Sequence, residues 1–154
     1  CPGTLQIKNA DITDRIAMKS LFSNGINVVC HLAACAGARE SISSPEWYIN
    51  TNVLGTTILL EQAALSRCSN FVYASSGSVY GTPVSSSTNM EKNMVLMRED
   101  ELPGKLLSPY GVTKAAAESM AGVYHHLYNL PTTVSSKQHE IERKELAVDI
   151  KASG

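Results

Sequence analysis

Tyr110 and Lys114 stand four residues apart in the segment Ser108-Pro109-Tyr110-Gly111-Val112-Thr113-Lys114, whose residue types mark the start of a helix. Residues at that spacing share one helical face, a turn from each other. An ammonium beside a phenol favours the phenolate, so a group that titrates near ~10 on its own becomes a usable base at neutral pH. The pair predicts proton transfer by Tyr110, with Lys114 as its electrostatic partner. Six tyrosines occur in the chain, and none of the other five has a lysine at that offset. Taken alone, the spacing is also what a surface tyrosine followed by a solvated lysine would give.

A second run, Phe71-Val72-Tyr73-Ala74-Ser75-Ser76-Gly77-Ser78-Val79-Tyr80-Gly81, ends a strand-like apolar stretch in small hydroxyl residues. Ligands of open parallel sheets gather at the carboxyl ends of strands. A third, His31-Leu32-Ala33-Ala34-Cys35-Ala36-Gly37-Ala38-Arg39, follows another apolar run with small residues that let a ligand approach the backbone closely. Close packing of helix on strand would use the same small residues.

The elements that must position these runs alternate along the chain. Leu5-Gln6-Ile7 reads as a short strand, and Asp14 caps a helix through about Phe22. The apolar run from Ile26 to His31 reads as a strand buried on both faces. Ser44 at an N-cap and Pro45 at the first helical position open a helix over 45–66. A strand from Asn70 to Ser76 precedes a long polar connection over 81–107, of a length usually tied to function or mobility. Ser108 caps a helix over 108–129, apolar at Ala116, Met120, Val123 and Leu127, and a short strand starts at Thr132. Alternation of this kind predicts a doubly wound, Rossmann-like parallel α/β sheet.

The three runs, in this order and at these spacings, resemble the extended short-chain dehydrogenase/reductase superfamily, within it the NAD-dependent nucleotide-sugar epimerases and dehydratases. The likeness covers about Ala10 to Val134, a partial NAD-binding domain over 1–134, after which 135–154 is a charged tail departing from the family pattern. The resemblance implies NAD as cofactor and a UDP-sugar as substrate. It implies Ser76, Tyr110 and Lys114 as the catalytic set, and Ser76 with Ser78 against the sugar. It also implies cofactor contact by Asp11 and Ile12 at the adenine, by Ala33, Ala34 and Ala36 in the small-residue run, by Asn52 near the nicotinamide, and by Tyr110 and Lys114. Asp11 could equally be a turn or cap residue, and Asn52 could be spent on an internal helix-to-loop bond.

Where the family's 4,6-dehydratases follow the catalytic hydroxyl with Asp-Glu, this sequence has Gly77 and Ser78, which disfavours dehydration. The run HLAACAGARES with Pro45 and Tyr48 looks most like the UDP-glucuronate 4-epimerases, although Gly77 interrupts the hydroxyl series and keeps a neutral UDP-hexose open as substrate. No G-x-x-G-x-x-G precedes the first helix, and the aromatic-glycine-proline loop of the substrate half is absent. The expectation is therefore of a sheet incomplete at both ends, with an isolated chain that does not turn over substrate. A truncated relative serving as a binding module is the alternative, and within the enzyme class a nucleotide-sugar dehydratase or decarboxylase.

The bulk properties agree. With 154 residues and a formal charge of −1, the chain suits one domain and offers no basic, aromatic-interleaved stretch for nucleic acid. No apolar run spans a bilayer, no signal-peptide layout opens the chain, and four cysteines without C-x-x-C spacing suggest reduced thiols and no metal. A cytoplasmic protein is the expectation. Apolar residues on more than one face of 45–66 and 108–129 fit a homodimer through these helices, or burial within one subunit.

Overall fold

Three β-branched or aromatic runs pair in parallel in a computed structural model that describes residues 4–81 and 104–135. They are β1 (Val28–His31), β2 (Asn70–Ala74) and β3 (Thr132–Ser135), in the order β1-β2-β3. Val29 stands beside Phe71 and Phe71 beside Thr132. Parallel neighbours need long crossovers. The first runs through α2 (Ala38–Ser43), α3 (Pro45–Tyr48), a π-helical segment (Ile49–Gly55) and α4 (Thr56–Leu65). The second carries a 3₁₀ turn (Gly77–Tyr80) and α5 (Pro109–Tyr128). The expected Rossmann-like α/β architecture is what the structure shows.

Phe71 and Tyr73 alternate with half-exposed residues along β2 and point into the core, where they meet Ile58 and Leu60 of α4, Ala117 and Ala121 of α5, and Met18 and Phe22 of α1 (Arg15–Phe22). Asp14 caps α1 as expected, its carboxylate accepting from the amides of Ile16 and Ala17. Ser108 likewise caps α5, accepting from the Gly111 amide at 3.1 Å, with Pro109 at the first helical position. Asn129 ends that helix in the left-handed region, φ 52°, a conformation asparagine tolerates better than most residues.

Four expectations need correction. Residues 4–10 form no strand: Ile7 is 87% exposed, and among the described residues no neighbouring strand pairs with this segment. β1 is buried on one face only: Val28 and Cys30 are exposed, Val29 is half-buried and His31 is buried. The helix over 45–66 is not uniformly α, and Ser44 makes no side-chain cap. Where it widens to a π-helix, the Thr56 and Thr57 hydroxyls donate back to the carbonyls of Asn52 and Val53, at 2.6 and 2.8 Å. Finally, the strand expected over 70–76 ends at Ala74; on α5, Val123 and Leu127 are exposed. The buried face of that helix is Thr113, Lys114, Ala117 and Ala121, small or narrow residues that let the helix lie close to the sheet. Ser135, the expected start of the charged tail, ends β3, and the rest of that tail and most of the polar connection lie outside the described residues. Among the described residues, no helix is long and apolar enough to cross a membrane, and no three His, Cys, Asp or Glu side chains converge as for a metal ion.

Candidate active site

The carboxyl end of β2 and the turn after it pack on the start of α5, so Ser76, Tyr110 and Lys114 lie on elements in mutual contact. β2 runs straight into the 3₁₀ turn, whose entry is capped by Ser76: its hydroxyl accepts from the Ser78 amide at 3.2 Å and lies 3.3 Å from the Ser78 hydroxyl. The turn packs on α5 so tightly that a methyl at Gly111 would stand 2.8 Å from the Ser78 carbonyl oxygen. Glycine at 111 is therefore what lets the start of α5 pack on the Ser78 backbone. Ser75 and Tyr73, one and three residues before Ser76, carry buried hydroxyls with no partner among the described residues.

Tyr110 is half-buried, its ring edge-on to that of Tyr48 with centroids 6.2 Å apart. Lys114 lies a turn further along α5, where its Nζ donates to the Ala74 carbonyl at 2.5 Å and sits 4.3 Å from the centre of the Tyr73 ring. The expected shared face is present, but the ammonium is tied to the end of β2. Burial pulls the Lys114 pKa down to about 8, Glu118 acting against that shift. At pH 7 most of the lysine is still ammonium. The carbonyl and the ring face compensate part of the cost of burying it.

The small-residue loop after β1 exposes Ala33, Ala34 and Ala36, and its course is fixed from one side by Asn52. That side chain, 1% exposed within the π-helical segment, accepts from the Cys35 amide at 2.7 Å and donates to the Cys35 carbonyl at 2.9 Å. It also donates to the Thr113 hydroxyl at 3.0 Å, and Thr113 donates on to the Tyr110 carbonyl at 2.9 Å. Both amide atoms of Asn52 are thus engaged within the chain, the internal alternative left open by the sequence. Tyr48 adds a second tether, its hydroxyl donating to the Ala36 carbonyl at 2.7 Å.

Asp11 and Ile12 are separated from the catalytic set along the fold. Asp11 accepts from the amide and the hydroxyl of Thr13, both at 2.8 Å, and these bonds hold its carboxyl below the usual range. Ile12 lies against Gly55, where a methyl would come within 2.6 Å of its Cδ1, so the turn carrying Asp11 is docked on the π-helical segment.

Three functional supports escaped the sequence reading. Ser41 and Thr113 hold the backbone of Tyr110, and the third is His31. His31 is 3% exposed, with Nε2 2.8 Å from the Thr56 hydroxyl. Because Thr56 gives its only proton to the Asn52 carbonyl, it accepts from His31, which fixes the Nε2–H tautomer. Burial first, and then the Lys114 charge, push the His31 pKa down to about 4, so the imidazole is neutral at pH 7. A single buried histidine at the end of an apolar run carries no signal that would have revealed this chain of bonds.

Comparison with known proteins adds a lineage to this geometry. The sequence profile of the family described as GDP-mannose 4,6 dehydratase matches residues 2–149. Protein CapI of Staphylococcus aureus is 43% identical over 110 residues, covering 69% of this chain and 29% of that protein. A UDP-glucuronate 4-epimerase of Thermodesulfobacterium geofontis is 37% identical over 125 residues, covering 80% and 36%. The chain thus spans about a third of the length of these curated relatives. The crystal structure of UDP-glucuronic acid 4-epimerase from Bacillus cereus, in complex with UDP-glucuronic acid and NAD, superposes with a TM-score of 0.67 at 33% identity, over 81% of this chain and 36% of that one.

Proposed function

We propose, since the chain belongs to the GDP-mannose 4,6 dehydratase family, that the full-length protein is an NAD-dependent 4-epimerase of a UDP-sugar. The observation that supports this reading is that Lys114 of α5 is bonded to the end of β2 and the turn opened by Ser76 packs on the first turn of α5, next to Tyr110, with Gly77 and Ser78 in the two positions after Ser76. The exposed methyls of Ala33, Ala34 and Ala36 fit the close approach of a dinucleotide, and Asp11 and Ile12 would stand at its adenine end. Asn52 serves that site by holding the Cys35 loop. Bound NAD would supply hydride acceptance from sugar C4 and its return.

The chain's own residues do the rest. Tyr110, as phenolate, takes the proton of the C4 hydroxyl while the C4 hydride leaves, which gives a 4-keto sugar. Lys114 supplies a positive charge one helical turn from Tyr110 and would exchange its bond to Ala74 for the nicotinamide ribose. Ser76, already beside Ser78, turns its hydroxyl to the sugar 4-oxygen and relays the proton to Tyr110. After the keto sugar turns over, the hydride would return to the other face of C4 while the same groups return the proton to the 4-oxygen.

Elimination of water needs an acid and a base beside the sugar's C5 and C6. Gly77 has no side chain and Ser78 offers only a neutral hydroxyl, so the keto intermediate is not dehydrated. The relatives named for UDP-glucuronate support that substrate, while the break in the hydroxyl run at Gly77 supports UDP-hexose beside it. Exposed Val112, Val123 and Leu127 on α5, with Leu54 before α4, fit a homodimer through these helices.

Incubating the full-length protein with UDP-glucuronate or UDP-glucose and separating the products by chromatography tests the reaction. A C4 epimer and no 4-keto-6-deoxy sugar is the expected outcome. Stoichiometric deoxy-keto product would place the protein among the dehydratases instead.

A further inference from the structure

Tyr110 is held by its backbone from outside its own helix. In α5 it is the second helical residue, and its N–H is one of the amides that no intrahelical carbonyl can satisfy. Ser108, the local cap, takes the next amide, that of Gly111. The Tyr110 amide instead donates to the Ser41 hydroxyl at 3.1 Å, across 69 residues of sequence. Ser41 is 0% exposed and in turn donates to the Ala38 carbonyl at 2.6 Å, so its one proton is spent and its lone pairs face Tyr110. The Tyr110 carbonyl is held as well, by Thr113, which Asn52 ties to Cys35.

Both backbone groups of Tyr110 are thus referenced to one segment, 35–41, which includes the loop assigned to the cofactor. A local cap fixes a helix end relative to its own chain, whereas this remote one fixes the phenol relative to the groups it must work beside. We propose that Ser41 is a positioning residue, which sets the distance between the Tyr110 phenol and the cofactor loop by accepting from the Tyr110 amide. The proposal rests on the epimerase reading for its kinetic consequence, but the contact itself does not depend on it. A displacement of about 1 Å at a reacting group can cost on the order of 10²-fold in rate.

The test uses the full-length protein with Ser41→Ala, with Ser41→Cys as a near-isosteric variant with a weaker acceptor, and with Asp14→Ala as a destabilised control. Asp14 caps α1, which carries none of the assigned site residues. Amide exchange at Tyr110 should rise at least ~10-fold in Ser41→Ala, since an uncapped first-turn amide opens freely. The rate per bound NAD should fall roughly 10- to 100-fold with KM within about threefold, because the loss lies in alignment. Ser41→Cys should fall between wild type and Ser41→Ala in both measurements, and Asp14→Ala should lower Tm while leaving the rate per bound NAD unchanged. Unchanged exchange at Tyr110 in Ser41→Ala overturns the proposal. So does an equal loss of rate in Asp14→Ala, which would make the effect one of stability. A wild-type protein inactive on every UDP-sugar would count against the epimerase reading alone, with amide exchange still deciding the role of Ser41.

Discussion

Tyr110→Phe in the full-length protein should retain NAD and lose turnover by about 10²–10⁴-fold, the usual contribution of a positioned base. The substitution removes one oxygen from a ring whose packing against Tyr48 and whose backbone bonds to Ser41 and Thr113 do not involve the hydroxyl. Folding should therefore be little affected, and the loss should appear in kcat. On the proposed reaction, single-turnover absorbance near the reduced-nicotinamide band gives a direct readout and should vanish in the variant. Turnover within a few-fold of wild type would remove Tyr110 from the chemistry and return the Tyr-Lys spacing to a surface coincidence.

The second large effect is one of stability. Asn52→Leu should cost about 2–4 kcal/mol, because it leaves the Cys35 amide, the Cys35 carbonyl and the Thr113 hydroxyl without the partner they share. Against the roughly 5–15 kcal/mol that holds a domain folded, that is a large fraction. Asn52→Asp, which keeps the acceptor for the Cys35 amide but buries a carboxylate against the Cys35 carbonyl, should cost at least as much. Chemical denaturation of the three proteins measures this, and a loss under about 0.5 kcal/mol for Asn52→Leu, the scale of an ordinary surface change, would mean that the Cys35 loop finds other partners.

The start of α5 was legible in the sequence because its signals are local: Ser108 caps, Pro109 opens the first turn, and the Tyr110-to-Lys114 spacing follows from helical geometry. What Lys114 reaches was not legible, since the Ala74 carbonyl lies 40 residues away and its availability depends on how closely α5 lies on β2. The hydrophobic pattern of α5 left burial or a dimer surface open for Val123 and Leu127, and within this chain the helix buries Ala117 and Ala121 and leaves those larger side chains exposed. Asn52 stood out as an amide in an apolar helix, and sequence alone left two uses for it. The structure supplies internal partners for both of its amide atoms. The π-helical widening that aims Asn52 at Cys35 follows from tertiary bonds and has no periodic signature. The short strand expected at Leu5-Gln6-Ile7 shows the opposite limit, since a strand forms only where a neighbour offers backbone partners.

The central claim is that the C4 hydride of a UDP-sugar leaves and returns to the same carbon while Tyr110 handles the proton. Proton NMR of the full-length protein turning over its UDP-sugar in D₂O tests it most directly. The account predicts a C4 epimer that keeps its C4–H, with no deuterium at C4 and no added cofactor consumed. Deuterium at C4 of the product, or at C6 of a deoxy-keto sugar, would contradict it.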